Sequence, residues 1–376
     1  MRSLDTSGAT WGSPIVLASG RPGDSPLLSS YDSAEPSIAI DSGGFLHVVW
    51  VSGGATGNQQ ILNLVRYTKT TASYPTQSQL GSSVNWVPVA AVDDSAVGYM
   101  PTVSTDTSNY AHVAWSGSKT IGTVYYKNQA GGTWRSTVSW GVAYTGLSVD
   151  VSPQNNYVSL ARYFEFATNE IQYLVCKDLS TSHCDTAANF TKWNGVAGVD
   201  TVATGVESAS YPSLATTYDM NGDLWIAYAK DVNGTTRGIF ARFLDYPITG
   251  WAIAETVASV SGTIFSRPTI GIDAGNNVHA LYVDTSVPQL YYKSRIGSWG
   301  PATAVDAASD NPTLVVRAPN NATYGTAVGG IYWKTTTTET YFYYVPEFDN
   351  AVVPILAVLL GVLFVRWRRT ARLRPI

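Results

Sequence analysis

Pro36-Ser-Ile-Ala-Ile-Asp-Ser-Gly-Gly-Phe-Leu-His-Val-Val-Trp50 returns later as Pro268-Thr-Ile-Gly-Ile-Asp-Ala-Gly-Asn-Asn-Val-His-Ala-Leu-Tyr282. Pro101-Thr-Val-Ser-Thr-Asp-Thr-Ser-Asn-Tyr-Ala-His-Val-Ala-Trp115 keeps the same register. Pro212-Ser-Leu-Ala-Thr-Thr-Tyr-Asp-Met-Asn-Gly-Asp-Leu-Trp-Ile-Ala-Tyr228 carries two extra turn residues. Two further copies are degenerate, Ser148-Val-Asp-Val-Ser-Pro-Gln-Asn-Asn-Tyr-Val158 and Pro312-Thr-Leu-Val-Val-Arg-Ala-Pro-Asn-Asn-Ala322.

Each copy follows one grammar. A strand of small and apolar residues leads into a tight turn rich in Asp, Asn and Gly, residues that supply the positive φ hairpins need. A second strand ends in an aromatic. A third reads like Val124-Tyr-Tyr-Lys127, Leu290-Tyr-Tyr-Lys293 or Ile171-Gln-Tyr173. A Trp then opens an outer strand: Trp86, Trp134, Trp193, Trp251 and Trp299. The spacing of the copies matches four-stranded propeller blades, which must stack around an axis to bury both faces.

The sixth copy runs out at Tyr341-Phe-Tyr-Tyr344 without a Trp-led strand. Thr10-Trp11-Gly-Ser-Pro-Ile-Val-Leu17 matches Ser298-Trp299-Gly-Pro-Ala-Thr-Ala-Val305 and supplies the missing one. The expected fold is therefore all-β: a six-bladed β-propeller over 10–345, closed by the N-terminal strand, which removes an open sheet edge. Residues 1–9 are a disordered N-terminus in this reading.

Composition agrees. The chain has 12 Trp, 23 Tyr, 33 Gly and only 13% charged residues, with a formal net charge of -4. No basic stripe is present, which argues against a nucleic-acid partner. No long segment before the C-terminus has helical periodicity.

The repeat grammar resembles the sialidase-like, BNR-type six-bladed propellers over residues 10 to 345. That resemblance implies an arginine triad, a Tyr/Glu nucleophile pair and an Asp acid, with Asp boxes reading Ser-x-Asp-x-Gly-x-x-Trp. Ser148-Val-Asp150 starts such a box, but Ser152-Pro153 replaces the glycine and no Trp follows. Phe265-Ser-Arg267-Pro268 is only loosely similar to the N-terminal arginine motif and lies in a different blade. Arg66, Arg162, Arg237, Arg242 and Arg317 are scattered. No catalytic residue carries over, so the catalytic residues are unknown from the sequence.

His47, His112 and His279 recur at one position, with Val158, Trp225 and Thr323 counted into the same place in other copies. Three imidazoles could converge on a metal; a shape-filling role competes and is preferred, and no metal or cofactor is expected. Asp41, Asp106, Asp219 and Asp273 sit at strand–turn boundaries. Asp219-Met-Asn221-Gly-Asp223 starts like a calcium loop without its distal Glu, so turn capping is the expectation. Cys176 and Cys184 flank a short loop, which favours a disulfide in an exported protein over free thiols. Only His183 lies near them, so they form no zinc set. Asn189, Asn233 and Asn321 head sequons compatible with glycosylation.

The C-terminus changes character. An apolar run, Ala351 to Val365, is followed by Arg366, Arg368, Arg369, Arg372 and Arg374, with Glu347 and Asp349 before it. The run is short against the roughly 20 residues of a spanning helix. The charge asymmetry still reads as a transmembrane helix over 351–367 with a basic cytoplasmic tail, 368–376, and an extracellular propeller. Pro346-Glu347-Phe348, in a linker over 346–350, resembles the PEF-type sorting signals of archaeal surface proteins. The resemblance implies cleavage and re-anchoring by an archaeosortase-type enzyme; a plain anchor is the alternative. No signal peptide is visible after Met1, which fits a truncated start or insertion by the tail.

The expected function is a membrane-anchored, non-catalytic surface propeller that binds glycans or proteins. The alternative is an extracellular glycoside hydrolase on the same ring, and a third reading is a structural element of the envelope. A carboxylate pair in the channel would favour the enzyme; Tyr, Ser and Thr would favour the binder.

Overall fold

The computed structural model describes residues 37–54, 62–73, 83–92, 98–117, 122–165, 168–177, 184–206, 212–217, 222–233, 236–245, 250–261, 265–273, 275–284, 289–307, 309–317, 327–334 and 339–346. Among them the protein is an all-β propeller of antiparallel sheets of four, seven, five, five and three strands, with only three-residue 3-10 turns besides. The innermost strands lie side by side in chain order, Ser37–Ile40, Tyr99–Thr105, Val138–Val151, Ser213–Thr216, Phe265–Ile272 and Ser309–Arg317, and the last also contacts the first.

Where their side chains are described, the second strands are buried along most of their length rather than alternating. Ala111–Ser116 and Val278–Asp284 are buried at every position. Both faces of a sheet are covered by its neighbours, so neither face selects polar residues. The core accordingly falls into clusters shared by consecutive units. Val49, Val65 and Tyr67 meet Val103, Val113 and Trp115 at one seam. Ile239, Ala241 and Val257 meet Ile270, Val278 and Tyr282 at another. Each large side chain so buried contributes about 1.5–3 kcal/mol.

The sheet count differs from expectation: five hydrogen-bonded sheets carry the six copies of the repeat. The cause is Val138–Val151, a strand that belongs to two copies. Its first half pairs with Gly122–Asn128 and its second half with Val158–Phe164, joining both units into one seven-stranded sheet. The register shifts between Thr145 and Leu147, where Gly146 takes φ 58°. This glycine bulge bends the strand without breaking it. The fifth sheet, Ser309–Arg317, Ala327–Lys334 and Glu339–Pro346, has three strands. The strand expected at 11–17, the sorting motif Pro346-Glu347-Phe348 beyond its first residue, and the expected membrane helix at 351–367 lie outside the described residues. Among the described residues, no helix is long and apolar enough to cross a membrane.

Cys176 and Cys184 form a disulfide, as their spacing suggests. Both sulfurs are buried beside Val158, Leu160 and Phe190, so the bridge is part of the core.

Neighbouring inner strands are too far apart to form a ladder, and side-chain hydroxyls bridge them. Ser37 Oγ accepts a hydrogen bond from the Val103 N–H at 3.2 Å. Ser148 accepts from Leu214, Ser213 from Ile270, each at 3.0 Å, and Thr269 from Leu314 at 3.1 Å. The acceptor is the second residue of its copy and the donor the third residue of the next. At the remaining described seam the bond shifts two residues along, with Ser104 Oγ accepting from Val151 N at 3.1 Å. A Ser or Thr stands at the acceptor position in all six copies: Ser37, Thr102, Ser148, Ser213, Thr269 and Thr313.

Ser213→Ala should therefore leave the Ile270 N–H without its acceptor and lower stability by about 1–3 kcal/mol. Ser213→Thr should restore most of the loss. Thermal denaturation of both variants checks this; an alanine variant melting with the wild type would count against the bridge.

Candidate functional site

The three repeated histidines do not converge. Each is the centre of a buried Asp–His–Tyr chain within its own copy. His47 Nε2 meets Asp41 Oδ2 at 3.0 Å and His47 Nδ1 meets the Tyr67 hydroxyl at 2.9 Å. His112 meets Asp106 at 3.4 Å and Tyr126 at 2.6 Å. His279 meets Asp273 at 3.2 Å and Tyr292 at 2.7 Å. A carboxylate can only accept, so Nε2 carries the proton and the tyrosine donates to Nδ1.

The same aspartates cap their turns, as their position suggests. Asp41 Oδ1 accepts from Phe45 N, Asp106 Oδ1 from Ser108 N and Tyr110 N, and Asp273 Oδ1 from Asn277 N. Each carboxylate thus holds the turn with one oxygen and the imidazole with the other. Burial raises the Asp106 and Asp273 carboxyls, but the histidine and turn donors outweigh it and hold both below the ordinary range. Burial pushes the Tyr67 and Tyr126 phenols far up, so they stay neutral donors. Among the described residues, no cluster of three or more His, Cys, Asp or Glu side chains could hold a metal ion.

The pairing register corrects the alignment of the degenerate copies. Asp150 lies opposite Ser159, as Ser104 lies opposite His112, so Ser159 takes the histidine position rather than Val158. The turn there is one residue longer, with Ser152 N bonding Tyr157 O. Ser159 keeps part of the chain, since its Oγ is 3.0 Å from the Tyr173 hydroxyl. In the fifth sheet Gly329, opposite Val315, takes the place counted to Thr323. Trp225 keeps its assigned place, with Ala241 standing where the tyrosine would be.

The ends of the sheets away from the Asp turns carry a second repeated feature. Three residues past the histidine position, aromatics face each other across the second and third strands. Trp115 stacks on Tyr125 at 5.4 Å, Tyr228 on Phe240 at 6.0 Å and Tyr282 on Tyr291 at 5.6 Å. Tyr332 stands opposite Tyr341, and Trp50 opposite Arg66. The seven-stranded sheet has the polar pair Arg162–Gln172 at this position.

Arg162 is 3% exposed. Its Nε and Nη2 both donate to Gln172 Oε1, at 3.3 and 3.2 Å, and its guanidinium lies over the Trp140 ring at 5.9 Å. Gln172 donates to Glu170 Oε2 at 3.2 Å, and Glu170 also accepts from Thr168 and Thr201. The Thr168 hydroxyl foremost holds the Glu170 carboxyl below its ordinary value. Charge therefore runs from a buried guanidinium to a carboxylate at the rim. Arg237, 3.7 Å from Asp231, lies on this same face. Arg242 lies toward the Asp-turn end instead, over Trp251. The scattered arginines of the sequence thus include three on one face, on three sheets. Repeat counting missed Arg162 because the longer turn hides its equivalence to Trp115.

Nearer the axis, Asp150 lies between two other inner strands. Its Oδ1 accepts from Ser104 Oγ at 2.8 Å, and its Oδ2 accepts from Thr216 N and Oγ1 at 2.7 and 2.9 Å. Burial pushes this carboxyl up, against the pull of those donors. The same position holds Ala39, Ser104, Ala215, Gly271 and Val315 elsewhere. Its hydrogen-bond partners are hydroxyls and backbone N–H groups, not a second carboxylate.

His112→Ser should leave the buried Asp106 carboxylate without its imidazole donor, costing about 3 kcal/mol. Adding Asp106→Ser recreates the Ser152–Ser159–Tyr173 arrangement and should recover at least about 1 kcal/mol by removing that charge. Acid adds a second reading. The depressed Asp106 carboxyl stabilises the fold above the ordinary value of 3.8 and loses that contribution as the pH falls through its folded value. The double variant should lack this component. Denaturant titrations from pH 7 to pH 3 check both; a double variant less stable than the single one would overturn the account.

No family model matches the sequence, and no curated protein does. Solved structures do match in fold. A Hadza microbial sialidase, Hz136, superposes with a TM-score of 0.51 at 11% identity, covering 83% of this chain and 65% of its own. A leech intramolecular trans-sialidase complexed with 2,7-anhydro-Neu5Ac gives 0.51 at 10% identity, over 90% of this chain and 70% of that one. A polysaccharide lyase of family PL25, an ulvan lyase bound to a GlcA(1-4)Rha3S ligand, gives 0.57 at 12% identity, over 92% of this chain and 86% of that one. The propeller is similar to carbohydrate-active proteins in its architecture.

Proposed function

We propose that this chain is a membrane-anchored surface propeller that binds acidic carbohydrate on the face away from the Asp turns. The carrying observation is the Arg162–Gln172–Glu170 network, set in a ring of aromatic pairs and joined on that face by Arg66. Aromatic faces stack on the apolar faces of sugar rings, and guanidinium groups form the strong, directional bonds that carboxylates and sulfates accept. The ligands named for two of the fold relatives, 2,7-anhydro-Neu5Ac and GlcA(1-4)Rha3S, come from this chemical class. Hydroxyls outnumber carboxyls on the inner strands, and the Asp150 carboxyl, bonded to hydroxyls and N–H groups rather than to a second carboxylate, favours binding over hydrolysis.

In this reading residues 11–17 complete the three-stranded fifth sheet and close the ring. The apolar run 351–365 and its arginines hold the propeller at the cell membrane, facing out. Pro346-Glu347-Phe348 is the recognition motif for an archaeosortase-type processing enzyme.

Two experiments test the proposal. On a glycan array the full chain should bind carboxylated or sulfated glycans, and Arg66→Gln should weaken that binding about tenfold, the value of a lost charge-assisted bond. Its melting temperature should stay near that of the wild type. An array blank for acidic glycans would overturn the binding reading; acidic-glycan cleavage abolished by Asp150→Asn would install the hydrolase instead. Deleting residues 1–18 should lower the melting temperature by several degrees, because it exposes a sheet edge. An unchanged transition would remove the closure.

A further inference from the structure

The two faces of the propeller differ in what they show to solvent. Among the described residues, six large apolar side chains are exposed: Val84, Val89, Val196, Val232, Ile253 and Ile296. Val84 at 79% and Ile296 at 70% lie at corners between a third and a fourth strand, while Val196 at 56% and Ile253 at 91% lie just past such corners, in a turn before Asp200–Ala203 and between Gly250–Trp251 and Glu255–Ser261. Third strands run from the far face toward the Asp turns, so these corners share the Asp-turn face. In the second copy the corner presents the exposed Arg135. Among the described residues the opposite face shows Val232, and Val89 lies on an outer strand.

The chain leaves the fold on the same side. Glu339–Pro346 is the third strand of the fifth sheet, so Pro346 ends at the Asp-turn face. Only residues 347–350 separate it from the apolar run that begins at Ala351. Four residues reach at most about 14 Å when extended. A propeller tethered this closely has one face near the bilayer.

Resting on the membrane-anchored reading above, we infer that the Asp-turn face lies on the lipid surface, with Val84, Val196, Ile253 and Ile296 dipping into the headgroup–acyl boundary. Isoleucines so exposed to water are otherwise a liability, and burial in the interface removes their apolar area from water. Arg135 at the remaining described corner suits lipid phosphate. The arrangement leaves the aromatic pairs and Arg162 facing away from the membrane, open to ligands from outside.

The test uses the full chain in phospholipid vesicles. The native cysteines are paired, so a cysteine introduced at Val196, Ile253, Ile296 or Val232 is the single free thiol for an environment-sensitive dye. Quenching by acyl-chain-brominated lipid should be at least threefold stronger at 196, 253 and 296 than at 232. Chain that floats with the vesicles but quenches equally at 253, 296 and 232 would overturn the lipid-facing surface alone. Chain that does not float would overturn the anchor and this inference together.

Discussion

A propeller must hold its innermost strands together where no backbone ladder is available. Here one hydroxyl per seam accepts the N–H of the following inner strand. The bond is local, directional and repeated at equivalent positions, and it aligns the strands in height. That alignment places the Asp turns on one face and the aromatic pairs on the other. The distinction between the two faces depends on it.

The Asp–His–Tyr chains secure the same turns by another route. Each spans three elements: the turn, the second strand and the third strand. A buried carboxylate next to an imidazole is tolerated because both of its oxygens accept hydrogen bonds. The three copies that lack the histidine also lack the aspartate, replaced by Ser152, Thr217 or Arg317. The charge and its partner come and go together, as the desolvation penalty of an unpaired carboxylate requires. These histidines therefore belong to the architecture, and ligand chemistry has to be sought on the opposite face.

Much of the fold was legible in the repeat. The strand order, the Trp-led outer strands and the Cys176–Cys184 pair all follow from spacing and residue type. The Trp residues pack across seams: Trp134 meets Tyr67 edge-on, and Trp251 meets Tyr173. Other features were hidden. Turn length is not visible by counting, so the extra residue before Tyr157 moved Val158 into a place that belongs to Ser159. The same slip concealed Arg162 among the aromatics. The merging of two copies hangs on Gly146, one glycine among 33, and nothing local sets it apart. Four of the bridging hydroxyls, Ser37, Ser148, Ser213 and Thr269, were in plain view at one repeated position, yet Ser and Thr are too common there to signal a role without neighbours.

The shared strand Val138–Val151 makes the ring mechanically uneven. Its backbone bonds tie two copies into one sheet, in addition to the Ser104–Val151 bridge at their inner strands. Among the described residues the other joints depend mainly on side chains, with a lone backbone bridge at Val206–Lys230. Torque applied around the axis, whether by thermal motion or by a ligand that pulls on the rim, is thus taken up at those joints, and the Arg162 pair rides on the stiffest sector of the wheel.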